Sequence, residues 1–193
     1  VTQYPLSYGQ RALWLLEQAR PEGTAYNVVY AARFSPTLDI AAFHRALQRL
    51  VCRHPALRTT FTLSNGEVLQ RVHAHQEVCF QVKDASGWSL EQLNEELGKE
   101  VYRPFDLQHG PLMRWTLFCQ ARQGYLAVLC LHHSITDLWS LAIFMHELGL
   151  LYTAEKSGTP PPLKPLKATY ADFVRAQQQM LAGPEGERLW AYW

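Results

Sequence analysis

Net charge is almost missing from this sequence, and so is any run of one sign. Eighteen Lys and Arg stand against seventeen Asp and Glu, a formal charge of +1. With the basic residues scattered, neither nucleic acid nor an anionic membrane has an electrostatic case as a partner. No apolar stretch is long and unbroken enough to span a bilayer. The opening Val1-Thr2-Gln3-Tyr4-Pro5 carries no signal-peptide pattern. Cysteine is sparse: Cys52, Cys79, Cys119 and Cys130 offer neither a close pair nor zinc-finger spacing. Cys52 and Cys130 fall on the apolar faces of an expected helix and strand, so reduced core thiols are the expectation. A cytoplasmic protein without a metal site fits these absences.

What is present is an ordinary globular composition, 48% hydrophobic and 18% charged, in a chain long enough to bury a sizeable core as one domain or two small ones. Ser7 and Gln10 have capping-box spacing and predict a helix through Arg11, Trp14 and Leu15 that stops before Pro21. Residues 26–34 read as a strand. Phe43, Leu47, Leu50 and Val51 recur at three- and four-residue spacing, an amphipathic helix beginning at residues 37–39 and ending near His54-Pro55. Residues 59–63 and 68–72 flank Asn65-Gly66, a hairpin signal, because a type I′ turn wants positive φ. Residues 78–83 add a strand. Ser89 with Gln92 starts a helix through Leu93, Leu97 and Val101, and residues 103–107 follow as a loop.

Residues 112–119 and 125–131, joined around Gly124, predict an antiparallel pair. The second is apolar at every position but its first, which argues for burial on both faces. Residues 156–162 and Pro165 form a stiff surface connection, residues 169–181 a helix, and Gly183-Pro184 a break. The chain ends on Leu189-Trp190-Ala191-Tyr192-Trp193 with no terminating signal, so it is expected to be cut from a longer one. The fold class is α/β: a mixed, largely antiparallel sheet of five or six strands with helices packed mainly on one side.

The chemistry concentrates in His132-His133-Ser134-Ile135-Thr136-Asp137, between that apolar strand and a helix. Adjacent residues of an extended chain point to opposite faces, so the two imidazoles cannot share a cleft. One is expected to bind or react, and the other to be held in the fold. No third or fourth ligand lies at metal-binding spacing. Asp137 directly precedes an apolar helix and would cap it, worth roughly 1 kcal/mol. If buried it would need a cation, for which Arg53 and Arg58 are candidates. Ser140 belongs to the cap rather than to a nucleophile elbow, and Leu141, Phe144, Met145 and Leu148 form a core stripe.

Four segments then stand in a known order. Ser7-Tyr8-Gly9-Gln10-Arg11-Ala12-Leu13-Trp14, Arg53-His54-Pro55-Ala56-Leu57-Arg58-Thr59-Thr60-Phe61, His132-His133-Ser134-Ile135-Thr136-Asp137-Leu138-Trp139-Ser140 and Tyr170-Ala171-Asp172-Phe173 resemble the first four core motifs of nonribosomal peptide synthetase condensation domains. The resemblance implies the N-terminal lobe of a chloramphenicol acetyltransferase-like fold of two lobes, with the C-terminal lobe absent from residues 1–193. It implies amide-bond formation between an acyl donor and an aminoacyl acceptor. Both would be carried as phosphopantetheine thioesters on upstream and downstream carrier proteins, with no directly bound cofactor.

His133 is the implied catalytic residue, by removing the amine proton or by orienting the nucleophile. His132, Asp137 and Arg58 are implied as structural, with Arg58 the partner of Asp137. Leu138 replaces the glycine that the third motif expects and is expected to add bulk beside the site, with Trp139 and Ser140 as its neighbours in the cleft. Pro55 stands where the second motif has an acidic residue. The rivals are a coenzyme A-dependent acyltransferase of the same superfamily and a non-catalytic domain that recruits partners. Residues 1–193 alone are expected to be inactive.

Overall fold

The computed structural model describes residues 1–20 and 22–192. The expected roles of Pro21 as a helix stop and of Trp193 in the chain end lie outside the described residues. The helices start where their caps predict. Ser7 caps α1 (Tyr8–Ala19) and Ser89 caps α3 (Leu90–Val101), each accepting from the third helical N–H and receiving the glutamine side chain in return. Asp39 caps α2 (Ile40–Arg53) by accepting from Ala42 N at 2.9 Å.

The strands are β1 (Thr2–Pro5), β2 (Asn27–Phe34), β3 (Thr59–Ser64), β4 (Glu67–Val72), β5 (Cys79–Asp84), β6 (Met113–Cys119) and β7 (Tyr125–His132). They form two sheets instead of one. β1, β4 and β3 make a small antiparallel sheet in that order, and β2, β7, β6 and β5 make the main one. The β3–β4 hairpin turns through Asn65 at φ 52° and Gly66 at φ 82°. β5 and β6 are parallel, so the chain must cross over between them, and α3 is that crossover. A tight turn joins β6 to β7 at Gly124, where φ is 83° and a Cβ would lie 2.2 Å from the Phe34 carbonyl oxygen. Only glycine fits there.

Helices cover both faces of the main sheet. Trp115 of β6 faces α2 and α4 (Leu138–Ser157), with Phe43 at 5.2 Å and Phe144 stacked at 6.2 Å between ring centroids. Phe118, one pleat further round, faces the α3 side, where Trp88 packs on it at 6.0 Å. Two helices thus take one face and α3 the other. That is why β7 is apolar from Leu126 to Leu131: Ala127, Val128, Leu129, Cys130 and Leu131 are all buried. Burying a Leu- or Phe-sized side chain contributes about 1.5–3 kcal/mol. The stripe of α2 is fully covered: Ala46, Leu47 and Leu50 have no exposed surface.

Two further helices, α5 (Tyr170–Leu181) and α6 (Pro184–Tyr192), follow the proline-rich connection. No helix among the described residues is long and apolar enough to cross a membrane. Of the expected core residues, Phe144 and Leu148 are buried, but Met145 is exposed. All four cysteines are unpaired; Cys130 is buried as expected, whereas Cys52 is exposed.

Candidate active site

A cleft of about 510 Å³ opens at the end of β7, and all four quoted segments line it. The first contributes Gly9, Gln10 and Leu13, and the second His54, Ala56, Leu57 and Thr59. The third supplies His133 to Asp137 with Ser140, and the fourth Tyr170 and Phe173. Side chains tie these walls together. Ser7 Oγ lies 2.8 Å from Tyr170 Oη, and Tyr8 N donates to Gln177 Oε1 at 3.2 Å, so α5 is latched to the start of α1. Gln10 Nε2 donates to the Ser134 carbonyl. Arg53 donates 2.6 Å to the Lys164 carbonyl, joining the second segment to the connection that leads into α5.

The histidine pair is split as strand alternation requires. His132 is the last residue of β7 and is buried between Tyr26 and Phe105. Its Nδ1 accepts from Ser134 N at 3.2 Å and lies 2.8 Å from Ser134 Oγ. Since Nδ1 accepts, the neutral ring carries its proton on Nε2. That nitrogen has no hydrogen-bond partner among the described residues, and Glu17 Oε2 stands 3.8 Å away. Burial, helped by the neighbouring His133, takes the His132 pKa down to about 4. Burial pushes the Glu17 carboxyl up.

His133 leaves the strand and faces the cleft. Its backbone N–H donates to Tyr26 O at 2.9 Å, a last rung beyond the β2–β7 ladder. Its Nδ1 lies 2.7 Å from the Thr136 carbonyl oxygen. A carbonyl only accepts, so Nδ1 bears the proton and Nε2 keeps a lone pair. No group among the described residues occupies that lone pair. The arrangement presents a fixed imidazole in a preformed cleft, whose Nε2 in the neutral ring can take a proton or hold an N–H or O–H donor.

Asp137 caps α4: its Oδ1 accepts from Ser140 N at 2.7 Å and from Ser140 Oγ at 2.6 Å. Those two bonds hold its carboxyl below the ordinary value. The expected pairing with Arg58 is not formed. Arg58 instead gives its donors to the carbonyls of Val51, Cys52, His73 and Ala74, stapling the end of α2 to the chain beyond β4. A guanidinium with five donors is well used by orphan helix carbonyls, and an exposed Asp137 needs no cation. Leu138 and Trp139 are also corrected. Both are 77% exposed and neither lines the cleft, whereas Ser140 does. Leu138 has no positive φ, so the backbone does not demand glycine there.

Glu147 of α4 was not singled out by its sequence context, an apolar run. It is buried, and its carboxylate binds Arg53 through Nε at 2.9 Å and Nη2 at 3.2 Å, and His54 Nε2 at 2.6 Å. A lone acid inside an apolar run, opposite an Arg-His pair elsewhere in the chain, was the available signal. Among the described residues no group of three His, Cys, Asp or Glu side chains could hold a metal ion.

The family model of the condensation domain matches residues 1–193. Linear gramicidin synthase subunits B and C of Brevibacillus parabrevis are 38% and 36% identical over 193 residues. The match takes in 98% of this chain in both cases, and 4% and 2% of those proteins. The chain therefore spans a small part of the curated relatives it matches. Among solved structures, the starter condensation domain of rhizomide synthetase superposes with a TM-score of 0.87 at 22% identity, covering all of this chain and 49% of that one. The X-domain in its complex with OxyB from teicoplanin biosynthesis gives 0.85 at 29% identity, covering 97% of this chain and 40% of that one.

Proposed function

The chain belongs to the condensation-domain family, and from that premise we propose that residues 1–193 form one wall of an amide-forming site. A carrier-bound acyl thioester is the donor and a carrier-bound aminoacyl thioester the acceptor. The amine nitrogen attacks the donor carbonyl, loses one proton, and the donor's thiol leaves with a proton. His133 Nε2 is the group that accepts from the amine, either holding it in line or taking its proton. Holding alone can supply much of the rate, because alignment removes the entropy of a two-body encounter.

One observation carries this proposal: four segments far apart in sequence line one cleft, and in it only His133 of the histidine pair offers a free lone pair. His132, Asp137 and Ser140 act through structure, by setting the loop and capping α4. The cleft volume lies in the range of small-molecule sites, which suits a pantetheine arm and its cargo. Nothing resident is needed, since the arms arrive with upstream and downstream carriers. A second lobe completes the site, supported by coverage of about half of the solved condensation domain. Four unpaired cysteines support a reducing, cytoplasmic setting.

The test is His133→Ala in a two-lobe protein carrying this chain, assayed in single turnover with acyl-carrier and aminoacyl-carrier. Loss of turnover by about 10²-fold or more is expected, and unchanged turnover would sink the assignment. Residues 1–193 alone are expected to form no product at a comparable rate. Acyl-coenzyme A replacing the acyl-carrier donor with equal efficiency would favour the coenzyme A-dependent acyltransferase. A second reading, recruitment of a partner protein, is favoured by the likeness to the X-domain seen in complex with OxyB; a His133→Ala variant with full biological activity would support it.

A further inference from the structure

The cleft holds a second oriented imidazole. His54 lines it alongside His133, and its Nε2 lies 2.6 Å from Glu147 Oε2. Burial alone would push the Glu147 carboxyl up, but the hydrogen bonds from Arg53 and His54 outweigh it and hold the group below its ordinary value. An ionised carboxylate only accepts, so the proton sits on Nε2. Whenever the ring is neutral, Nδ1 is then a lone pair, to which nothing among the described residues donates. Arg53 already gives Glu147 two donors and a balancing charge. A structural ion pair would be complete without the imidazole.

The backbone also fixes where this side chain starts. His54 is extended, at φ −100° and ψ 107°, while its N–H still donates to Leu50 O at 3.0 Å. Pro55 follows and disfavours the helical alternative. His54 and His133 thus share a design with the nitrogens reversed. Each has one nitrogen donating to a fixed oxygen and the other free to accept.

We propose that His54 is a substrate-binding residue of the cleft, whose Nδ1 accepts from an N–H of the aminoacyl acceptor while Glu147 sets its tautomer. The proposal rests on the condensation reading and adds a contact to it. No bond changes at His54. The N–H can belong to the acceptor's amine or to an amide of its pantetheine arm; both are the same chemistry to a lone pair.

The test uses the two-lobe protein with alanyl-pantetheine as acceptor and propionyl-pantetheine, which lacks the amine, as competitive inhibitor. His54→Ala is expected to raise the acceptor KM roughly three- to tenfold, as for one lost hydrogen bond, with kcat changed less than about twofold. His54→Gln, whose carboxamide oxygen accepts, should recover part of the loss. An unchanged Ki for propionyl-pantetheine assigns the contact to the amine, and a Ki raised in parallel assigns it to the arm. Unchanged KM and Ki in His54→Ala overturn the proposal. So does a ¹⁵N spectrum of the unaltered protein with the His54 proton on Nδ1, a measurement that needs no variant to fold. Full turnover in His133→Ala would instead overturn the underlying condensation reading.

Discussion

Gln10 Nε2 donates to the carbonyl oxygen of Ser134 across 3.2 Å, joining the first turn of α1 to a loop 124 residues further along the chain. The same side chain accepts from Ser7 N at 3.1 Å, so one buried carboxamide both closes the α1 cap and holds the loop that follows the two histidines. The residue it holds, Ser134, is the partner of His132 Nδ1. The first and third segments are thus one hydrogen-bonded unit.

Replacing Gln10 by Leu leaves the Ser134 carbonyl and the Ser7 N–H without their partner. A buried unsatisfied group costs about 1–3 kcal/mol. Chemical denaturation should show a loss of that size, and turnover should fall through misplacement of His133. Gln10→Glu keeps the acceptor for Ser7 but not the donor for Ser134, so it should recover the cap and not the activity.

Leu138→Gly restores the residue the third motif expects. Because Leu138 is exposed and does not line the cleft, turnover should stay within about twofold. Stability should fall by less than the roughly 0.5–1 kcal/mol that glycine costs in mid-helix, since Leu138 is the first residue of α4. A large gain in rate would show that Leu138 does reach the reacting centre.

His132 predicts an acid-side loss of stability. Its pKa falls from an ordinary 6.5 to about 4 on folding, so between those values the unfolded chain binds the proton and the folded one does not. Its contribution is complete above pH 6.5, declines as the pH drops, and is lost below about 4. The full difference is on the order of 3 kcal/mol. In urea melts across this window, His132→Asn should flatten the slope. Glu17 works the other way: its raised carboxyl costs stability as the pH climbs above 4.5. Glu17→Gln should therefore raise Tm more at pH 8 than at pH 4.

Glu147→Ala removes the acceptor shared by Arg53 and His54. Breaking a buried pair by deleting one partner costs about 3–5 kcal/mol, since the remaining charge loses its compensation. Calorimetry should show the lower end of that range, because Arg53 is partly exposed and keeps its bond to the Lys164 carbonyl. A loss below about 1 kcal/mol would mean that the pair is no more than a surface contact.

Local rules exposed much of this fold in advance. The Ser7–Gln10 and Ser89–Gln92 boxes, the Asn65-Gly66 turn and the Phe43–Val51 stripe each depend on residues within one or two turns, where spacing and geometry are equivalent. The double burial of β7 was readable for the same reason. Division into two sheets was not, because β1 is only four residues, ends in a proline, and pairs with a strand that begins 62 positions later. That the two imidazoles part followed from strand alternation, and His133 as the cleft-facing one from the motif resemblance, but the partner of Asp137 followed from neither. Arg53 and Arg58 are equivalent cations in one dimension. Only packing decides that Arg53 meets Glu147 while Arg58 binds the carbonyls of Val51, Cys52, His73 and Ala74. The reach of Leu138 was misjudged because a residue beside a site in sequence can stand on the far side of its helix.

The rung from His133 N–H to Tyr26 O carries one more consequence. Side chains alternate with a period of two, so a one-residue slip of β7 against β2 would exchange the places of His132 and His133. Both are imidazoles, and such an error would keep a histidine in each position. It would nevertheless part the cleft-facing ring from the Thr136 carbonyl and shift Asp137 relative to the helix it caps. A misregistered molecule could thus pass any test for a histidine in the cleft and still lack the tautomer the site requires. The correct fold is proofread by the loop that follows the strand, where hydrogen bonds to Ser134 and Thr136 distinguish two residues that composition treats as the same.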